Sequence, residues 1–320
     1  MDAAARRAVV EQLLVDHQLD QGAVEERVRC CASAGYWTSL CPGLSIGARA
    51  TPLEEVTSGP GASSDAARHI RGEGYGTVPV FLPRPVLARM NGAIEAVNAA
   101  GWPSVFAWVF DDFWSAARTT AVRSLLDAAL GPGAWQVPHV WVHVVPAVGG
   151  ARGWGPHKDG GLARGSRAHL SVWIALTDAH VDNGCIYVLP RSAAAAWLVD
   201  RDWSSGVMPV ADAVRLVSAV RALPAAAGSA LAWDFDLLHW SGVRTGDGGP
   251  RRSLSLEFIG AEADPAPDEH PLIVCGGGDP LPTFAERLTS IAQGIVQYGK
   301  HEPGVQRFRP LADRLLRGFV

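Results

Sequence analysis

Val137-Pro-His-Val-Trp-Val-His-Val-Val145 alternates with a period of two: His139, Trp141 and His143 fall on one face, Val140, Val142 and Val144 on the other. That alternation predicts a half-buried strand. Further along the chain, His169–Leu176, Cys185–Leu189, Ser229–Trp233 and Ser253–Ile259 read as strands, separated by Gly, Pro, Asn and Asp turns. Upstream, Gly76–Leu82 reads as a short strand whose Pro79 marks a sheet edge. Short strands spread over roughly 120 residues predict a β-sandwich or jelly-roll barrel.

Helical periods flank this region. Asp20 is a candidate N-cap inside a helical stretch from Asp2 to about Cys31, with Val9, Val10, Leu13, Leu14 and His17 on one face. Pro42 to Ser64 reads as a long loop, and Pro83–Ala99 and Ser115–Leu130 as helices. Thr283-Phe-Ala-Glu286 is a capping box that opens an amphipathic run through Phe284, Leu288, Ile291, Ile295 and Tyr298. Such helical stripes read as core.

The chain has 320 residues, 48% hydrophobic and 19% charged, with a net charge of −4, enough for a real core and for one large domain or two modest ones. The acidic balance argues against a nucleic-acid binder. Cys30, Cys31, Cys41, Cys185 and Cys275 form no CxxC pair, which fits a reducing cytoplasm. The charged, helical start does not read as a signal peptide, and no run of about 18 apolar residues suggests a membrane span.

Two patches inside the β region carry chemistry. Gly155-Pro-His-Lys-Asp159 places His157 and Asp159 two apart, so both can face one ion, and His239 in Leu237-Leu-His-Trp-Ser-Gly242 can supply a second imidazole. Two imidazoles and one carboxylate leave coordination positions open, which suits ferrous iron; a closed zinc site would want four ligands, usually thiolates. Taken alone, HxD is a common chance pair in a chain with ten histidines and 32 acidic residues. Arg251 and Arg252 then open a strand and must point to opposite sides, so one can aim inward at a small dicarboxylate while the other is spare.

The order HxD, Val172-Trp-Ile-Ala-Leu-Thr177, Asn183-Gly-Cys-Ile-Tyr-Val-Leu-Pro-Arg-Ser192, His239-Trp-Ser-Gly242 and Arg251-Arg-Ser-Leu-Ser255 resembles the phytanoyl-CoA dioxygenase family over about residues 70–262. The resemblance implies a mainly β fold with flanking helices around a double-stranded β-helix (jelly-roll, cupin-like) core. It implies one catalytic domain over 1–320, with helical extensions at 1–69 and 263–320. It also implies iron(II), 2-oxoglutarate and O2 as cofactor and co-substrates. By position, His157, Asp159 and His239 match the iron ligands and Arg251 the arginine for the distal 2-oxoglutarate carboxylate. Trp173 matches a tryptophan near the co-substrate, and Ser241 a small polar residue after the distal histidine. Many members carry Lys or Asn on the strand before HxD; here His143 faces the co-substrate pocket and Val145 supplies no cation. Halogenases of the family have Ala or Gly where Asp159 stands, so halogenation is disfavoured.

The implied activity is oxidation, foremost hydroxylation, of a C–H bond in a small organic metabolite of a bacterial secondary pathway, releasing succinate and CO2. Desaturation, epoxidation and cyclisation stay open, and a non-catalytic metal-binding jelly roll is the distant alternative. Trp141 is expected as a wall of the active site. Trp108, in the tryptophan-rich stretch 101–114, reads as core or as substrate lining; Arg244 reads as a surface residue or as a contact to a substrate carboxylate. The partner is a small molecule, with no nucleic acid or membrane.

Overall fold

The computed structural model describes residues 19–47, 52–57, 59, 61–160, 168–193, 210–276 and 278–318. The expected helical face at Val9, Val10, Leu13, Leu14 and His17 lies outside them, as does part of the Pro42–Ser64 loop. Before the β core come α1 (Gln21–Cys31), α2 (Ala34–Leu40) and α3 (Ala62–Glu73). The Asp20 side chain accepts from the Ala23 N–H at 2.8 Å, so α1 starts where the cap was expected. β1 (Tyr75–Val78) stops before Pro79 and is the edge strand of its sheet. After α4 (Arg84–Ala99) and a 3₁₀ turn (Ser104–Val109), the expected Ser115–Leu130 helix is instead α5 (Asp111–Ala116) and α6 (Thr120–Leu130). The Thr119 backbone is extended, and its hydroxyl donates to the Ala116 carbonyl, which separates the two.

The strands are β2 (Trp135–Val145), β3 (His169–Ala175), β4 (Ile186–Val188), β5 (Arg221–Leu223), β6 (Ala230–Asp234), β7 (His239–Ser241), β8 (Arg251–Ile259) and β9 (Ile273–Val274), with α7 (Val210–Ala219) leading into β5. They form two antiparallel sheets, ordered β1-β6-β3-β8-β2-β9 and β5-β4-β7, the two walls of a double-stranded β-helix. Register places Ser255 opposite both Trp141 and Trp173, and Ser253 opposite both His143 and Ala175.

β2 was expected to be half-buried but is buried along most of its length. Helices cover one face of the large sheet, where Val140, Val142, Val172, Ile174, Leu254, Leu256 and Phe258 pack with α4, the 3₁₀ turn and α8 (Phe284–Tyr298). Between the sheets lies a smaller cluster with Trp173, Ile186, Val188, Leu231 and Trp233.

The C-terminal helices are built into the larger core. The capping box of α8 forms as expected at Thr283 and Glu286. Gly294 sits where a Cβ would lie 2.7 Å from the Val140 carbonyl oxygen, so α8 meets β2 at backbone distance. Arg287, fully buried, pairs with Asp111 at 2.7 Å and donates to the carbonyls of Val109, Gly47 and Pro282. After α9 (Pro303–Gln306), α10 (Arg309–Leu316) buries Leu311, Ala312 and Leu315 in the same cluster. All five cysteines are free. Among the described residues, no helix is long and apolar enough to cross a membrane.

Candidate metal centre

His157 and His239 are brought together by a backbone bridge: each N–H donates to the other's carbonyl at 3.0 Å, and the ring centroids lie 4.3 Å apart. β7 thereby delivers the distal histidine beside the segment that carries His157 and Asp159. The Asp159 Oδ1 lies 3.3 Å from His157 Nε2 and 3.6 Å from His239 Nε2. Among the described residues this is the one cluster of three such side chains whose ligand atoms all fall within 4.8 Å.

The surroundings set which atoms face inward. The Nδ1 of His157 lies 2.8 Å from the Gly155 carbonyl, and that of His239 3.0 Å from the Leu237 carbonyl. A carbonyl can only accept, so each Nδ1 carries the proton and each Nε2 offers a lone pair toward Asp159. The second carboxylate oxygen, Oδ2, accepts from Ser171 Oγ at 2.6 Å and from Trp233 Nε1 at 2.8 Å. Only Oδ1 is left for an ion. This donor set fits a divalent iron.

Electrostatics agree. Burial opposes ionisation of Asp159, but His239, His157 and the Ser171 hydroxyl outweigh it and hold the carboxyl far below the usual range. Burial pushes His239 down to about 4, so its imidazole is neutral. Burial works the same way on His157, but pairing with Asp159 wins and raises it.

A cavity opens over the triad and includes Arg251, Ser241, Trp173 and His143 in its wall. Arg251 is 1% exposed and donates to Ser253 Oγ at 3.1 Å and Ser241 Oγ at 3.0 Å. Its guanidinium lies 5.3 Å from the Trp173 ring. Burial lowers its pKa to about 10, so it remains charged at neutral pH. No carboxylate pairs with it among the described residues. A buried cation held by two hydroxyls calls for an anion. Burial pushes His143 down to about 3, with Arg251 adding to the effect, so it faces the cavity as a neutral imidazole.

Four expectations are narrowed or changed. Trp108 is core: fully buried, it packs on Trp114 and Phe113 and donates to the Trp141 carbonyl at 3.3 Å. Arg244 is buried rather than exposed, and its guanidinium is spent on the carbonyls of Gly246, Gly248 and Gly249, bracing a turn away from the cavity. Arg252 is not spare; it pairs with Glu95 at 2.9 Å and donates to Asn91 on α4. Trp141 stands one layer behind the cavity wall, against Trp154 and Tyr298.

Sequence reasoning missed Ser171, Trp233, Trp154, Glu257 and Tyr298. Ser171 and Trp233 sit on strands already expected and share the inward parity of Trp173, which is a usable signal. Tyr298 closes the helical stripe read as core, yet it lines the cavity and donates a hydrogen bond to Glu257. His139, 3% exposed, lies 3.7 Å from Glu257 rather than near the triad.

Residues 106–253 match the family model described as phytanoyl-CoA dioxygenase (PhyH). Among solved structures, the apo form of the non-heme monooxygenase ThoJ aligns at 16% identity and a TM-score of 0.52, over 80% of this chain and 100% of that chain. Its nickel complex aligns at 18% and 0.51, over 75% and 100%. The non-heme alpha-ketoglutarate-dependent carbocyclase SnoK from nogalamycin biosynthesis aligns at 23% and 0.48, over 72% and 96%. At these identities the likeness concerns the fold. No curated protein matches the chain.

Proposed function

We propose that the chain, whose residues 106–253 match the phytanoyl-CoA dioxygenase family model, is an iron(II)- and 2-oxoglutarate-dependent oxygenase of that family and hydroxylates a C–H bond of a small organic metabolite. In this reading His157, Asp159 and His239 hold the iron, and Arg251 holds the distal carboxylate of 2-oxoglutarate. The observation that carries it is the pairing, in one cavity, of a pre-oriented two-histidine, one-carboxylate set with a buried arginine whose guanidinium, among the described residues, hydrogen-bonds to hydroxyls and meets no carboxylate. Bound iron supplies the oxidising chemistry, with O2 and 2-oxoglutarate consumed and succinate and CO2 released.

The chain's own residues then bind and orient. The Arg251 fork takes a carboxylate in two parallel hydrogen bonds, a geometry lysine cannot offer. Ser241 and Ser253 hold that fork in place, and Trp173 packs under it. His143, neutral, offers an N–H to the co-substrate where many relatives have a cation. Ser171 and Trp233 keep Asp159 on one oxygen and so keep positions free for co-substrate and O2.

The cavity wall holds one arginine and no lysine among the described residues, which favours a small metabolite over a CoA thioester. The test is succinate formation by the purified chain with ferrous iron, 2-oxoglutarate and a broad metabolite panel, products being identified by mass. A gain of one oxygen marks hydroxylation. No 2-oxoglutarate binding together with no succinate above background overturns the proposal.

A further inference from the structure

The cavity over the triad shares His143, Gly153 and Trp154 with a second cavity, lined also by Val144, Val145, Arg152, His301 and Glu302. The indole of Trp154 is the partition between them. It meets His143 edge-on at 4.8 Å and packs 5.8 Å from His157, 5.2 Å from Tyr298 and 5.0 Å from His301. Its Nε1–H donates to Glu302 Oε1 at 3.2 Å, and the same oxygen accepts from Trp141 Nε1 at 2.9 Å. One carboxylate oxygen from the C-terminal segment therefore fixes two indoles. Next to this partition the backbone is pressed against the cation: a Cβ on Gly153 would lie 3.2 Å from Arg251 Nη2 and 2.8 Å from Ser241 Cβ. Trp154 thus bounds the space between Arg251 and the triad.

We propose that Trp154 sets the length of the 2-oxoacid that the site accepts, and that Glu302 is its positioning residue. The proposal rests on the reading above, in which a 2-oxoacid spans from the metal to Arg251. Such a ligand is pinned at both ends. An extra methylene cannot lengthen the span, so it has to bulge sideways, and the wall it meets is the indole. With the indole gone, the bulge has the second cavity to enter.

The experiment compares 2-oxoglutarate with 2-oxoadipate, one methylene longer, by calorimetric titration of the Fe(II)-loaded full-length protein without oxygen. The wild-type protein should prefer 2-oxoglutarate by at least about tenfold, the ordinary range for one methylene in a fitted pocket. Trp154→Ala should erase most of that preference by gaining affinity for the longer acid. Glu302→Ala should move the ratio the same way by a smaller factor. Glu302→Gln, whose amide oxygen can accept both indole N–H groups, should retain the wild-type ratio. An unchanged ratio in Trp154→Ala overturns the proposal, and an unchanged ratio in Glu302→Ala removes Glu302 from it. Should Trp154→Ala fail to fold, Trp154→Phe must still shift the ratio, and no shift overturns it. A wild-type protein that binds neither acid overturns the proposal and the co-substrate reading together; binding of 2-oxoglutarate with an unaltered ratio in the variants sinks this inference alone.

Discussion

The two faces of the large sheet come from the same strands and differ in everything that matters. On β8, Leu254, Leu256 and Phe258 point to the helices, while Arg251, Ser253, Ser255 and Glu257 point between the sheets. Most two-sheet folds put their main core between the sheets. Here the larger apolar cluster lies outside, between sheet and helices, and the space between the sheets is shared by a smaller apolar cluster and the charged and hydroxylated side chains of the site. Buried charge adds little to stability, and often subtracts from it, unless it is well paired. The helical layers therefore carry the fold and free the inner face for chemistry.

That division can be broken from either side. Asp159→Ala should have the largest effect: iron binding and succinate formation drop to background, measured by metal content and turnover, while the melting temperature of the metal-free protein stays within a few degrees. On the helix side, Arg287→Ala should cost about 3–5 kcal/mol because it strands buried Asp111. Urea unfolding measures this, and any protein that remains folded should bind iron with its affinity unchanged. Ser171→Ala should sharpen the contrast: metal affinity falls about 10–100-fold, as for other residues that orient a ligand, with stability little altered.

The smallest expected effect is in pH. Burial opposes charge on His139, yet the Glu257 carboxylate 3.7 Å away, together with Asp268, raises its pKa in the folded chain. A raised histidine stabilises fully below its unfolded value of roughly 6.5 and loses that contribution as pH climbs through the folded value. His139→Gln should therefore destabilise near pH 6 and converge on the wild type at alkaline pH, read as denaturant midpoints across that range. A gap that widens with pH would assign the wrong partner to His139.

The inner face was legible where chemistry is local. HxD, the distal histidine and the arginine at a strand start are short spacings, and parity along a strand says which side each faces. Arg251 and Arg252 show the reach of that rule: their opposition could be read, but not that Arg252 would find Glu95 and Asn91 on α4. Arg244 and Trp108 show its limit, since a turn's carbonyls and a neighbouring backbone oxygen are invisible to spacing. Tyr298 and Glu302 failed for another reason. They reach the site from beyond β8: Tyr298 ends a helix whose apolar stripe is indistinguishable from any other core-facing stripe, and Glu302 follows in the turn before α9.

The backbone bridge between His157 and His239 has one more consequence. It closes a loop of roughly 80 residues, which costs the chain about 4 kcal/mol of configurational freedom. An ion gripping both imidazoles would be a clasp on that loop, resisting the same opening that the two amides resist. Metal loading and closure of the two-walled fold thus become one equilibrium: deuterium uptake at these two N–H groups would report, without any turnover, how firmly the clasp is shut.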